Sequence, residues 1–176
     1  SIYVCTTYYS TYCGAGIYVE GADPSLSNLL VYDNSLPTAS SAGDGVDLYY
    51  VSSFGGGACF LDSSATLEGV DFQGNYADQG GGVYVDDSSV ITMVESHVME
   101  NQATDGAGLE ILGGAVSLTN TVSSYNSAGD EGGGVLVVDG TLTATNITHG
   151  MDEAAAGGGI YVSGTGTATV MNTVVY

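Results

Sequence analysis

One phrase recurs along the chain: a glycine triplet followed by three residues whose first and third members are apolar. It reads Gly55-Gly56-Gly57-Ala58-Cys59-Phe60, Gly80-Gly81-Gly82-Val83-Tyr84-Val85, Gly132-Gly133-Gly134-Val135-Leu136-Val137 and Gly157-Gly158-Gly159-Ile160-Tyr161-Val162. Alanine replaces the middle glycine in Gly14-Ala15-Gly16-Ile17-Tyr18-Val19 and Gly106-Ala107-Gly108-Leu109-Glu110-Ile111. From Gly55 the copies start at 55, 80, 106, 132 and 157, in steps of 25, 26, 26 and 25 residues. A constant step of this size is the mark of a repeat architecture, in which each unit buries its apolar face against its neighbours.

The apolar-x-apolar triplet reads as a short strand with one face turned inward. Ile17, Ala58, Val83, Leu109, Val135 and Ile160 take the first inward position, and Val19, Phe60, Val85, Ile111, Val137 and Val162 the second. The glycines supply a corner that no side chain fits. A second fixed slot holds Asn34, Asn75, Asn101 and Asn126. Eight residues before it stand Leu26, Leu67, Met93 and Leu118, and three before it Val31, Phe72, Val98 and Ser123. By these offsets the fifth unit puts Gly150 in the slot, with Leu142 and Ile147 before it. At roughly 3.3 Å per strand residue, such a unit closes one turn of a coil made of short strands and corners. The fold class is therefore all-β, a parallel β-helix of about six coils of 25–26 residues with one apolar shaft. It forms a single domain over 1–176, with an irregular first coil over 1–13, an inserted loop over 35–54 and regular coils over 55–176.

Charge narrows the partners. The chain has no Lys or Arg against 20 Asp plus Glu, a formal net charge of −20. Nucleic acid and anionic membrane surfaces are both bound through basic side chains, so neither is an expected partner. No stretch reaches the roughly 18 apolar residues of a membrane span, so no membrane insertion is expected. Like charges in this number oppose compaction unless cations screen them. The chain begins and ends within strand-like segments and shows no capping element. A processed form or a piece of a longer rod is expected, with open strand edges that template head-to-tail stacking of the protein on itself.

Stacking brings equivalent residues of successive coils about 4.8 Å apart, so columns are the units in which to look for sites. An acidic column precedes the glycine corners: Asp78, Asp105, Asp130, Glu131, Asp152 and Glu153. Carboxylates beside corner carbonyls suit a hard cation, and Ca²⁺ is the expected ligand. Tyr18, Tyr84 and Tyr161 form an interrupted aromatic column in the outward strand position, and Tyr49 and Tyr50 lie in the inserted loop. These are candidate contacts for a cell-surface glycan or protein. Outward hydroxyl rows are read at Ser117, Thr119 and Thr121, at Thr141, Thr143 and Thr145, and at Thr165, Thr167 and Thr169. The asparagine slot is read as structural, its amides bonded along the axis. Three cysteines allow Cys5 with Cys13 or Cys13 with Cys59 in an oxidising compartment, and Cys59 falls in the outward, accessible column. His97 and His149 are expected at the surface. There is no Gly-x-Ser-x-Gly elbow, and the neighbours Asp86 and Asp87 point to opposite faces, so no catalytic residue is assigned.

The glycine-led strands together with Phe72-Gln73-Gly74-Asn75 resemble the Gly-Gly-Ala and Phe-x-x-Asn repeats of chlamydial-type polymorphic outer membrane proteins. Val98-Met99-Glu100-Asn101 and Val31-Tyr32-Asp33-Asn34 are weaker copies. The chain also resembles the wider right-handed β-helix group that includes pectate lyases, over roughly residues 14–176. The resemblance implies a right-handed coil, secreted or displayed at the cell surface, used as an adhesin or stalk. The absent basic residues depart from polyuronate lyases, which set Arg or Lys against an acidic sugar. The function expected first is therefore an extracellular structural or adhesive solenoid, as a filament or surface-stalk subunit. A carbohydrate-active enzyme or glycan-binding module on the same scaffold comes second, and an ice-binding protein third.

Overall fold

The structure, a computed structural model, describes residues 11–36 and 52–176. Cys5, Tyr49, Tyr50 and most of the inserted loop lie outside the described residues. Every glycine-led triplet forms a strand, and the six strands stack in one parallel sheet: Ile17–Glu20, Ala58–Leu61, Val83–Val85, Leu109–Leu112, Val135–Val138 and Ile160–Ser163. The register joins Val83 to Leu109 and Leu109 to Val135, so the inward column runs unbroken. Among the described residues there is no helix.

After each of these strands the chain turns into a second, angled sheet. In the early coils this is one long strand, Ser25–Tyr32 paired with Ser64–Gln73. Later coils divide it, as in Val90–Val94 followed by His97–Met99. The bend falls at Asn28, Gly69, Glu95, Asn120, Asn146 and Asn172, all with φ between 50° and 60°. Apolar side chains from both sheets fill the shaft, among them Phe60, Leu67, Phe72, Ile91, Met93, Ile111 and Leu142, all fully buried. Each such side chain removed from water contributes about 1.5–3 kcal/mol. This core, and not any single pairing, holds strands of three or four residues in place.

The asparagine slot is a buried ladder. The amide Nδ2 and backbone N–H of Asn75 both donate to Asn101 Oδ1, at 3.0 and 2.9 Å, and Asn101 does the same to Asn126 at 2.9 and 3.0 Å. The second Nδ2 hydrogen reaches a strand carbonyl, Val31 O from Asn75 and Phe72 O from Asn101. The fifth rung is Asp152 and not Gly150. Ser124 pairs with Gly150, which brings Asp152 level with Asn126. Leu142 pairs with Val116, and Ala144 with Leu118, so the offsets that pointed to Gly150 were two residues early.

The three glycines of a corner answer to three different constraints. Gly80 has φ +61°, in the left-handed region that a Cβ disfavours. A Cβ on Gly81 would collide with the Gln102 carbonyl, and one on Gly82 would sit 3.0 Å from Asn101 Nδ2. The corner is thus pressed between the ladder inside and a further layer outside.

That outer layer is the segment just before each glycine triplet. Gln102–Asp105 pairs with Ser127–Glu131, Thr11–Cys13 pairs with Ser52–Phe54, and bridges from Phe54 to Gln79 and from Gln79 to Asp105 connect them. The segments form a flap over the outer face of the six-stranded sheet. The outward column is therefore not solvent-facing: Cys59 is 0 %, Tyr84 6 %, Glu110 3 % and Leu136 2 % exposed. Tyr18 and Tyr161, at the two ends, remain partly exposed.

Candidate functional site

The column beneath the flap runs Tyr18, Cys59, Tyr84, Glu110, Leu136, Tyr161, each in register with the next. Its chemistry changes from coil to coil. At one end a disulfide joins Cys13 of the flap to Cys59 of the sheet, so the expected accessibility of Cys59 is corrected: it is sealed and oxidised. Next, the Phe54 ring of the flap meets Tyr84 of the sheet, with centroids 4.8 Å apart. A seam of small residues, Ala103, Ala107 and Ala128, lets the flap approach closely.

Glu110 comes next and is the outlier. The Gly80 N–H, which donates to Asp105 O at 3.1 Å, lies near enough to the Glu110 carboxyl to favour its charged form, while Oε2 has no hydrogen-bond partner among the described residues. Burial, and then the negative charge of Asp105, push its pKa up to about 8. At neutral pH the carboxyl is neutral, which is how a buried acid without a cation is tolerated. Tyr84 is raised for the same reasons, first burial and then the Glu110, Asp86 and Asp87 charges. At the far end Tyr161 is bonded to Glu131, whose charge holds the phenol proton on more tightly.

The acidic column divides into three groups. Asp78 and Ser53 exchange hydrogen bonds: Ser53 N–H donates to Asp78 Oδ2 at 3.0 Å, and Asp78 N–H to Ser53 Oγ at 2.8 Å. Asp105, Asp130 and Glu131 line an open notch with Ala155 and Ala156. Asp105 accepts from the Glu131 amide at 3.3 Å. Its pKa is raised, by burial first and then by the Asp130 and Glu131 charges, against the lowering effect of that amide. Glu153 is exposed, and Asp152 leaves the column for the shaft. Among the described residues no group of three or more His, Cys, Asp or Glu is set to hold a metal ion.

Asp152 ends the amide ladder. Its Oδ1 accepts from Asn126 N–H and Nδ2 at 3.0 and 2.9 Å, and its Oδ2 from Ser123 Oγ at 2.9 Å, with His149 Nδ1 at 3.3 Å. Both the Asp152 and the His149 side chains are 1 % exposed, which corrects the surface placement of His149. The trio is not a nucleophilic triad. The serine bonds the aspartate instead of the imidazole, and His149 Nε2 is buried without a partner among the described residues. His97 lies beside Asp71 at 2.7 Å on the half-exposed outer face. With no Lys or Arg in the chain, its two histidines are the only side chains able to bring positive charge to a carboxylate, and each stands next to one.

The hydroxyl rows are shifted by the register. Thr141 pairs with Thr167 and Thr143 with Thr169, so Thr165 lies outside the array, and Thr121 is buried at 2 % exposure. One file runs through five coils: Thr66, Thr92, Ser117, Thr143 and Thr169.

The buried acid and the ladder-ending aspartate are the two polar features that sequence reasoning missed. Both leave a signal. Glu110 is the one acid in a column otherwise of Tyr, Cys and Leu, and Asp152 stands one full period, 26 residues, after Asn126. No curated protein and no solved structure matches the chain. The family model described as the right handed beta helix region matches residues 2–175. The stacked parallel coils thus have their place: the chain belongs to the right-handed β-helix family.

Proposed function

We propose that this chain is a structural or adhesive shaft working outside the cytosol, as a stalk or filament subunit. The observation that carries the reading is how its polar side chains are used. The asparagine amides, Ser123, Asp152 and Asp78 all bind coil to coil or flap to shaft, the arrangement of a load-bearing scaffold. The disulfide from Cys13 to Cys59 supports an oxidising compartment, where such bonds persist. The acid-rich surface fits a medium whose cations screen it, with calcium among them.

Self-association is part of the same reading. In the coil formed by Ile160–Ser163 and Thr167–Met171, Val162 and Val170 are 40 % and 42 % exposed. A second copy adding its own strands in parallel register would cover them. Electron microscopy of native material, with sedimentation over a range of protein and calcium concentrations, tests this. Rods or filaments longer than one chain are expected. A particle that stays monomeric at every concentration removes the filament reading, and hydrolysis of a glycan panel would replace it with the enzymatic one.

A second reading rests on the hydroxyl file of Thr66, Thr92, Ser117, Thr143 and Thr169. A regular hydroxylated plane suits an ordered surface such as ice. Thermal hysteresis in solutions of the pure protein would support it, and freezing at the equilibrium point would end it.

A further inference from the structure

The layer beneath the flap contains one group whose charge the fold cannot accommodate. Glu110 lies between Tyr84 of the preceding coil and Leu136 of the following one. From the flap it is faced by Asp105, and Gly106 packs so near that a Cβ added there would lie 2.7 Å from the Glu110 Cβ. Tyr84 brings a phenol, Asp105 a like charge and Leu136 none. No cationic side chain is within the layer, since neither histidine belongs to this column. Hydrogen bonds from Thr104 N–H to Asp78 O at 2.9 Å and from Gly106 N–H to Glu131 O at 2.8 Å tie the flap over Glu110 to its neighbours. The seam behind it is alanine, which buries little surface.

We propose that the flap is a proton-operated latch, closed over a neutral Glu110 and lifting from the sheet when that carboxyl gives its proton to solvent. Lifting hydrates the Glu110 carboxylate, separates it from Asp105, and uncovers Tyr84 and Leu136 while the shaft stays intact. The closed state holds the Glu110 pKa at about 8, and a hydrated carboxylate lies near 4.5. The closed state therefore binds the proton more tightly. Closure is strongest below the lower value and weakens tenfold per pH unit between the two, then levels off. An acidic medium keeps the flap down, and a neutral to alkaline one frees it.

Hydrogen exchange resolved by residue, corrected for intrinsic rates, tests this between pH 5 and 8. Protection of the Thr104 and Gly106 amides is expected to fall by about tenfold per pH unit, while that of Ile91 and Met93 in the shaft follows global stability alone. Glu110→Gln is expected to reduce the flap slope by one decade per unit. The same slope in the variant, or flap amides as strongly protected as those of the shaft throughout this range, would overturn the latch. Should the variant not fold, carboxyl ¹³C spectra of the wild-type chain decide instead: a Glu110 resonance titrating near pH 4.5 refutes the proposal, and one titrating above 7 supports it.

Discussion

The inside of the coil and the layer beneath the flap are both dry, yet they are built on different terms. The shaft is filled mainly by aliphatic and aromatic side chains and laced by asparagines whose donors and acceptors are matched, with Ser123, His149 and Asp152 as its polar end. The flap layer is lined by one side chain from each coil. Its contents pass from a disulfide through an aromatic pair to a lone carboxyl and a leucine. A closed shaft cannot relax around a missing side chain, whereas a flap can settle onto the gap. The same amino acid lost from the two places should thus cost different amounts.

Leu109 and Leu136 make that test directly, being 1 % and 2 % exposed on opposite faces of neighbouring strands. Leu109→Ala is expected to destabilise by about 3–5 kcal/mol, toward the upper end of the range for a rigid cavity. Leu136→Ala is expected to cost roughly half as much, because the cavity collapses. Urea unfolding of both variants measures the gap. Equal losses would mean that the flap is as rigid as the shaft.

The staple is next in size. Cys13 and Cys59 close a loop with a sequence separation of 46 residues, for which loss of the bond is worth about 2–4 kcal/mol. Cys13→Ser is expected to lower the melting temperature and to abolish its sensitivity to reductant. If reduction leaves the melting temperature unchanged, the first coils are held by packing alone.

The third effect is a slope. The unfolded chain ionises Glu110 from near 4.5 and the folded chain only from about 8, so the unfolded state sheds its proton first. Stability from this group is complete below 4.5 and declines as pH rises to 8, by about 1.4 kcal/mol per pH unit. Most of the other carboxylates are exposed and shared by both versions of the protein. Glu110→Gln is therefore expected to flatten the stability–pH curve by that amount, as measured by denaturant midpoints at several pH values. The variant should be more stable than wild type at pH 8.

The contrast between the two layers also explains what could be read in advance. The inward column of Val83, Leu109 and Val135 follows from spacing and alternation alone, since a core residue needs only to be apolar at the right phase. Asn75, Asn101 and Asn126 were legible as one slot for the same reason. The flap was not, because alternation in a single strand implies one wet face. Parallel sheets are commonly covered on both. Cys59, Tyr84 and Glu110 each look like ordinary outward residues until a separate segment lies over them. Ala77, Ala103 and Ala128, two residues after the asparagines, carried the information, since small residues at a fixed phase mark a close approach of backbones. Asp152 was hidden by the fifth unit, where apolar residues happened to fit a register two residues short.

The smallest effect separates two threonines that alternation treats alike. Thr143 stands half-buried on the outer face, while Thr121 is buried and donates to Thr119 O at 3.3 Å. Thr121→Val removes a buried hydroxyl with its hydrogen bond and is expected to cost about 1 kcal/mol. Thr143→Val exchanges a solvated hydroxyl for a methyl on a strand that favours β-branched residues, within about 0.5 kcal/mol of neutral. A near-neutral Thr143→Val in dilute solution leaves that face available for a ligand. Strong destabilisation there would mean that the hydroxyl file helps to hold the coils together, and a surface needed for holding the fold is a poor one for binding anything else.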